Sequence, residues 1–252
     1  MPFTFAHPAI ILPLAHLPRK WFSLTGLVIG SLTPDFEYFL RMAIKSDYSH
    51  TIGGLLWFDL PLGLAISFIF HNLVRDRLFD NLPRFLKSRF GAFTEFDWNG
   101  YFKKNWMVVV ISILLGAISH IFWDGFTHDH GYFVGLIPAL SNTVGLFGGH
   151  IPIFKILQHA STLVGGLFIA YAIYRLPPDL NVKGNINTKY WAIVIALSVA
   201  IIIVRFMGGL QMEQYGNAIV TAISAGLLSL ILTPMIMGRS PHNKRKERSR
   251  KG

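Results

Sequence analysis

Long apolar runs separated by short polar or basic pieces set the pattern of this chain. Residues 8–17 are apolar but hold Pro8, Pro13 and His16. They are too short to cross a bilayer, which takes about 20 residues of helix. Arg19 and Lys20 follow, and then Trp21 to Leu32, where Gly26 and Gly30 would allow close helix contact. Thr33-Pro34-Asp35-Phe36-Glu37 breaks that run, and Ser46 to Thr51 is a polar connection. Ile52 to Leu73 predicts a span, with Asp59-Leu60-Pro61 inside it. Residues 75–104 form a basic amphipathic stretch, and Trp106 to Trp123 predicts the next span. A long glycine-containing connection covers 125–158. Ser161 to Tyr174 spans if extended back to Ile156. Tyr190 to Phe206 and Ala218 to Met237 are the clearest spans, with Arg205 the only charge in either. The expected fold is all-α, a polytopic membrane helical bundle with about five or six spans, and no internal repeat is visible.

Composition sharpens this picture. The 252 residues are 52% hydrophobic and only 14% charged, whereas soluble domains carry about 25% charged residues. The net charge of +10 owes much to the end of the chain, where Arg239, Lys244, Arg245, Lys246, Arg248, Arg250 and Lys251 cluster. Directly after a span, such a segment reads as a cytoplasmic anchor on anionic lipid rather than a nucleic-acid arm. The domain reading is therefore an integral membrane body over 1–238 and a disordered basic tail over 239–252. The start, Met1 to Pro8, lacks the basic n-region of a signal peptide and is expected to be retained. There are no cysteines, so disulfides, thiolate metal sites and cysteine nucleophiles are excluded.

Basic residues also set the orientation. They concentrate in 75–104, in Arg175 to Lys189 and in the tail, and the segment 124–158 has only Lys155. The positive-inside rule puts the first group in the cytoplasm. The span ends carrying His50, His120 and Asp124 then share the opposite face, and Asp35 can lie there too. His7 joins them if residues 8–32 dip in and return as a hairpin. Arg19 and Lys20 at the tip favour a crossing instead; the hairpin is preferred because it gathers the polar residues.

Those residues carry the candidate chemistry. His120 and Asp124 stand four apart at the end of an apolar helix, on one face, with Cβ atoms about 5–6 Å apart. Ionisable groups inside a span are costly and read as functional by default. With His7, Asp35 and His50 they make a set of imidazole and carboxylate ligands suited to zinc, manganese or iron. Glu37, His128, His130 and His159 are further ligand candidates. An ion so held would activate water at neutral pH, and two ions could clamp both oxygens of a displacement. Each residue also has a plainer reading. His120 and Asp124 could be a hydrogen-bonded structural pair. His7 could start a helix before Pro8, Asp35 could cap a helix break, and His50 could be interfacial. Asp59 reads as a stabiliser of a broken helix.

Four segments carry a resemblance: Met1-Pro2-Phe3-Thr4-Phe5-Ala6-His7-Pro8-Ala9, Gly30-Ser31-Leu32-Thr33-Pro34-Asp35-Phe36-Glu37-Tyr38, Tyr48-Ser49-His50-Thr51 and Ser119-His120-Ile121-Phe122-Trp123-Asp124. They resemble a bacterial integral-membrane family described as domain of unknown function 4184, over nearly the whole chain. More distantly, their order resembles the membrane-bound metal-dependent hydrolases and the zinc-dependent phospholipase C and nuclease fold. The resemblance implies metal ligation by His7, Asp35, His50, His120 and Asp124. The hydrolase relatives have an arginine-rich His-Arg-Gly-x-Thr-His block; here Ser46-Asp47-Tyr48-Ser49-His50-Thr51 has no arginine, which weakens a phosphoester assignment.

The functional expectation is a metal-dependent hydrolase of the bacterial inner membrane, multi-pass, with a cytoplasmic C-terminus. Its substrate would be an ester or phosphoester of a lipid or envelope component. Asp35, His120 and Asp124 are the catalytic candidates and zinc the first-choice cation. The bilayer is the expected partner, and nucleic acid is not. Two rivals use the same residues differently: an ion or small-solute transporter, favoured by Asp59 and Pro61 in a span, and a non-catalytic scaffold.

Overall fold

The computed structural model of the chain describes residues 3–18, 20–146, 148–182, 186–211 and 213–238. The basic tail expected at 239–252 lies outside them. Five helices among the described residues are long and apolar enough to cross a membrane: Ile52–Asp80, Trp98–Thr127, Ile153–Arg175, Thr188–Met207 and Tyr215–Met237. In this order they are the first to fifth spans. The fold is all-α and polytopic, as the hydropathy pattern predicts.

The first two spans run past their expected limits. The first continues through Arg75 to Asp80, and the second begins at Trp98, so only 81–97 connect them. Charge at Arg75 does not end the helix because the guanidinium is satisfied. It donates to Asp76 Oδ1 at 2.6 Å, to the Phe96 carbonyl at 2.8 Å and to the Thr94 carbonyl at 3.2 Å. Pro61 does not interrupt the first span either. A π turn over Leu55–Asp59 precedes it, and such a turn absorbs the backbone bond that proline cannot make.

The chain divides into two compact units. The first comprises Met1–Phe36, Asp47–Leu64 and Phe102–Tyr174. Its packing rests on small residues, as Gly26 and Gly30 suggest. A short helix, Leu24–Gly30, lies against the second span. A Cβ on Gly30 would run into the Ile113 backbone, one on Gly116 into the Leu27 carbonyl, and one on Gly26 would sit 2.8 Å from Ser112 Cβ. The Ser23 N–H donates to Ser112 Oγ at 2.8 Å, tying the start of the short helix to the span. Side chains this small let backbones meet closely enough for dispersion and hydrogen bonds to hold helices together in lipid.

Among the described residues of 8–32 there is no helix long enough to cross. Short turns at Pro8–Ile11 and Leu12–His16 are followed by Leu24–Gly30 and then a helix over Thr33–Arg41. The chain leaves the site at His7 and is back at Asp35, where Thr4 Oγ1 meets Asp35 Oδ2 at 2.5 Å. Residues 8–32 thus return the chain to His7, the proximity that the hairpin expectation requires. Thr33-Pro34-Asp35 is less a break than a helix start, with Pro34 in the first turn, where it costs no hydrogen bond. The N-terminal segment is held to the third span: the Phe3 N–H donates to Thr162 Oγ1 at 2.9 Å, and Gly165 leaves room for the Ala6 carbonyl.

The connection after the second span is not irregular throughout. It holds a helix at Tyr132–Leu136 and an antiparallel hairpin of Thr143–Leu146 with Gly149–Pro152, paired Thr143 to Pro152. Gly148 takes φ 78° in the turn, a conformation glycine adopts without a Cβ penalty.

The second unit comprises Glu37–Ser46, Ala65–Tyr101 and Arg175–Gly252. Its fourth and fifth spans meet through small hydroxyls, Ser198 Oγ to Ser229 Oγ at 3.0 Å. Ser224 donates to the Phe39 carbonyl at 2.8 Å, and Asn217 Oδ1 accepts from the Ile44 N–H at 2.8 Å. The fifth span thereby holds the end of the helix that begins at Thr33.

Candidate metal centre

The first unit brings His7, Asp35, His50, His120 and Asp124 together. His120 and Asp124 come from the last two turns of the second span, Asp35 from the first turn of its helix, His50 from the connection before the first span, and His7 from the N-terminal turns. One ligand atom from each of Asp35, His50, His120 and Asp124 lies within 4.8 Å of the others.

The spacing would suit a coordination shell. His120 Nε2 is 3.4 Å from Asp35 Oδ1 and 3.3 Å from Asp124 Oδ2; His50 Nε2 is 3.5 Å from Asp35 Oδ1 and 3.7 Å from Asp124 Oδ2. A tetrahedron with metal–ligand bonds of about 2.0–2.1 Å has edges of about 3.3–3.4 Å. Four edges of the cluster are therefore near the required length. They are also longer than direct hydrogen bonds, which run about 2.7–3.2 Å for N–H···O.

Three of the four candidate ligands are oriented by a second contact. His120 Nδ1 donates to the Ser31 carbonyl at 2.8 Å, which leaves its Nε2 lone pair facing the cluster. Ser31 follows the last residue of the short helix, where carbonyls lack helical partners. Ser49 Oγ gives its only proton to the Pro34 carbonyl at 2.6 Å, so its 3.1 Å contact with His50 Nδ1 has the ring as donor. That leaves His50 Nε2 as the nitrogen that faces the cluster. Thr4 Oγ1 donates to Asp35 Oδ2, leaving Oδ1 to face the histidines. Backbone or side-chain acceptors on the far nitrogen of a ligating histidine are the usual outer shell of a metal site.

Burial supports the same fit. Asp35 and His120 are fully buried and Asp124 nearly so. Asp35 Oδ1, His120 Nε2 and both Asp124 oxygens have no hydrogen-bond partner, and neither does either ring nitrogen of His7. Each such buried atom costs about 1–3 kcal/mol, and native proteins rarely gather several in one place. A cation among them satisfies most at once. The buried Asp/His cluster could hold a metal ion, and its oxygen and nitrogen donors suit a divalent one.

The ionisable groups outside the spans respond to this setting. Burial, and after it the His120 ring, pushes the His7 imidazole down to about 3. Burial alone would raise Asp35, but His120 and His50 outweigh it and hold the carboxyl below its usual range. Burial works against a charged His50, yet the Asp124 and Asp35 carboxylates raise it above the ordinary histidine value. His128 is lowered, chiefly by burial.

The remaining sequence candidates fall differently. His128 is close: its Nδ1 is 3.7 Å from Asp124 Oδ1 and 3.0 Å from the Asp124 carbonyl. Glu37 is buried but committed elsewhere, to Arg41 at 2.7 Å and Ser46 at 3.1 Å. The two residues stand at i,i+4, the spacing at which helical ion pairs meet. His130 and His159 are exposed and make no part of the cluster. Thr4, Ser31 and Ser49 were not singled out from sequence. All three lie within the segments that carry the family resemblance, but a lone hydroxyl or carbonyl beside a candidate ligand has no spacing signal of its own.

Buried ligand-type residues at the end of a span define a polytopic helical membrane protein with a candidate metal centre. The family model described as Domain of unknown function (DUF4184) matches residues 1–235, and the chain belongs to that family. No curated protein and no solved structure matches it.

Proposed function

We propose that the protein is a membrane-embedded metal-dependent hydrolase acting on an ester or phosphoester of a lipid or envelope component, with zinc the first-choice cation. The observation that carries this reading is the buried cluster of Asp35, His50, His120 and Asp124 with its outer shell of Thr4, Ser31 and Ser49. A divalent cation held there supplies Lewis-acid polarisation and an activated water at neutral pH. The chain's own groups do the rest. Asp35 and Asp124 neutralise the cation, and His50 and His120 present neutral nitrogens, fixed by their outer contacts. His50 is the most exposed of the four, with 23% of its side chain accessible against 0% for Asp35 and His120. Substrate and water reach the centre on that side.

The cluster sits on the last turns of a span, which favours a substrate at the membrane surface. No arginine stands in the segment 46–51 that carries His50, so a carboxylic ester is as well suited as a phosphoester. The family resemblance and the basic segments support a bacterial inner membrane with a cytoplasmic C-terminus. The test is hydrolysis of ester and phosphoester lipids in mixed micelles by metal-loaded protein. Activity is expected to vanish on chelation, return with metal, and be lost in Asp35→Asn. Hydrolysis that survives both treatments contradicts the reading.

A transport reading keeps one observation of its own, the fully buried Asp59 at the π turn of the first span. It requires ion flux in liposomes that falls in Asp59→Asn; unchanged flux removes it.

A further inference from the structure

We infer that the connection between the first and second spans, residues 81–97, holds a binding site for the headgroup of an anionic phospholipid. Both neighbours of the connection are helices long and apolar enough to cross a membrane, Ile52–Asp80 and Trp98–Thr127, which sets it at the depth of the lipid headgroups. It carries Arg84, Lys87 and Arg89 within six residues, and no carboxylate from 81 to 94. Basic segments are expected on the cytoplasmic side, where the leaflet is anionic.

The connection is a built surface rather than a free loop, because its inner side is tied down at several points. The Trp191 Nε1–H donates to the Asn81 carbonyl at 2.8 Å, and the Asp179 N–H to the Ser88 carbonyl at 2.9 Å. Arg75 donates to the Thr94 and Phe96 carbonyls at 3.2 and 2.8 Å. The Phe90 ring stacks on that of Phe79, with centroids 5.2 Å apart. The helix Arg84–Phe90 is thereby held against the end of the first span and the start of the fourth.

The outer side offers charge and apolar surface together. Phe85 is 51% exposed. The Arg89 guanidinium lies 4.0 Å from the centre of that ring and donates to the Phe85 carbonyl at 3.1 Å, which keeps a cation beside an apolar face. Lys87 Nζ reaches the Asp80 carbonyl at 2.7 Å, a bond that uses one of its three protons. Arg84 is exposed and makes no hydrogen bond or ion pair among the described residues. Phosphate oxygens of a headgroup accept from guanidinium and ammonium groups of this kind. The aromatic ring beside them suits the glycerol and upper acyl carbons, the pairing that interfacial helices use. All of these residues belong to the second unit, and the site needs no metal.

The test uses full-length protein, stripped of lipid in a neutral detergent and titrated with phosphatidylglycerol or phosphatidylcholine, with bound lipid counted by native mass spectrometry. Wild type is expected to retain phosphatidylglycerol and to release phosphatidylcholine. A cation near an anionic surface is worth about a fivefold gain in affinity, so Arg84→Gln/Lys87→Gln/Arg89→Gln is expected to bind phosphatidylglycerol about 100-fold more weakly. Arg84→Gln alone, at an exposed position without a partner to lose, is expected to weaken binding about fivefold; it decides the matter if the triple variant fails to fold by circular dichroism and gel filtration. Lys244→Gln/Arg245→Gln/Lys246→Gln removes the same charge from the basic end of the chain and is expected to bind as wild type does. Equal retention of the two lipids, or wild-type affinity in Arg84→Gln, overturns the site. An equal loss in the Lys244, Arg245 and Lys246 variant also overturns it, by assigning the lipid to the basic end instead.

Discussion

Thr4 shows how much of this site depends on single atoms. Its hydroxyl donates to Asp35 Oδ2 and so decides which carboxylate oxygen faces His50 and His120. Removing an outer-shell partner of this kind lowers metal affinity about 10–100-fold. Thr4→Val is expected to do so in a chelator competition, with Thr4→Ser restoring most of the loss; equal affinity in all three proteins would contradict the assigned role. Protonation adds a second expectation. The raised pKa of His50 means that, without metal, its charged form stabilises the fold below its unfolded value of 6.5, and that stability is lost as pH rises through the higher folded value. The depressed pKa of Asp35 works the other way, giving stability above 3.8 that is lost only when pH falls through its lower folded value. Both of these contributions are present in mild acid, whereas the lowered His7 and His128 oppose folding as pH falls below 6.5. Metal needs His50 neutral, so the rise in melting temperature on metal addition is expected to grow from pH 5.5 to about pH 8. A shift that shrinks over that range would contradict it. The residues of the cluster were legible as ligand types near the ends of predicted spans. Their tautomers and outer partners were not, because these depend on carbonyls such as Ser31 that any residue could supply.

Elements position these atoms through close approach. The short helix Leu24–Gly30 reaches the second span only because Gly26, Gly30 and Gly116 lack side chains. Ser31, at the end of that helix, then meets His120, one turn beyond Gly116. Gly30→Val would drive a side chain into the Ile113 backbone, and overpacking of this kind costs about 1–3 kcal/mol or more. It is expected to lower both thermal stability and metal content. Gly166→Ala, where a Cβ meets nothing within 4 Å, is expected to change neither. Loss of metal in Gly166→Ala, or its full retention in Gly30→Val, would sever the proposed link between packing and site. Span number was readable because hydropathy alone decides it. Span ends were not: a charge at Arg75 reads as a terminus in the sequence, and only its partners in the fold let the helix continue. The hairpin Thr143–Leu146 with Gly149–Pro152 escaped notice because glycine-rich, mostly exposed strands leave no clear alternation of apolar and polar positions.

At the scale of the molecule, the basic segments give an expected orientation, and the native absence of cysteine makes it easy to examine. Val144→Cys, in the hairpin after the second span, is expected to react with a membrane-impermeant maleimide in intact cells. Leu180→Cys, before the fourth span, is expected to react only after lysis. The reverse pattern would put the His/Asp cluster on the cytoplasmic face. The central claim, that this cluster is a metal centre, is tested most directly by elemental mass spectrometry of detergent-purified full-length protein, wild type beside the double variant His120→Ala/Asp124→Ala. The expected result is stoichiometric zinc or manganese in the wild type and none in the variant, with both proteins equally folded. Wild-type protein free of metal even after reconstitution, or a variant that keeps its full complement, would contradict it.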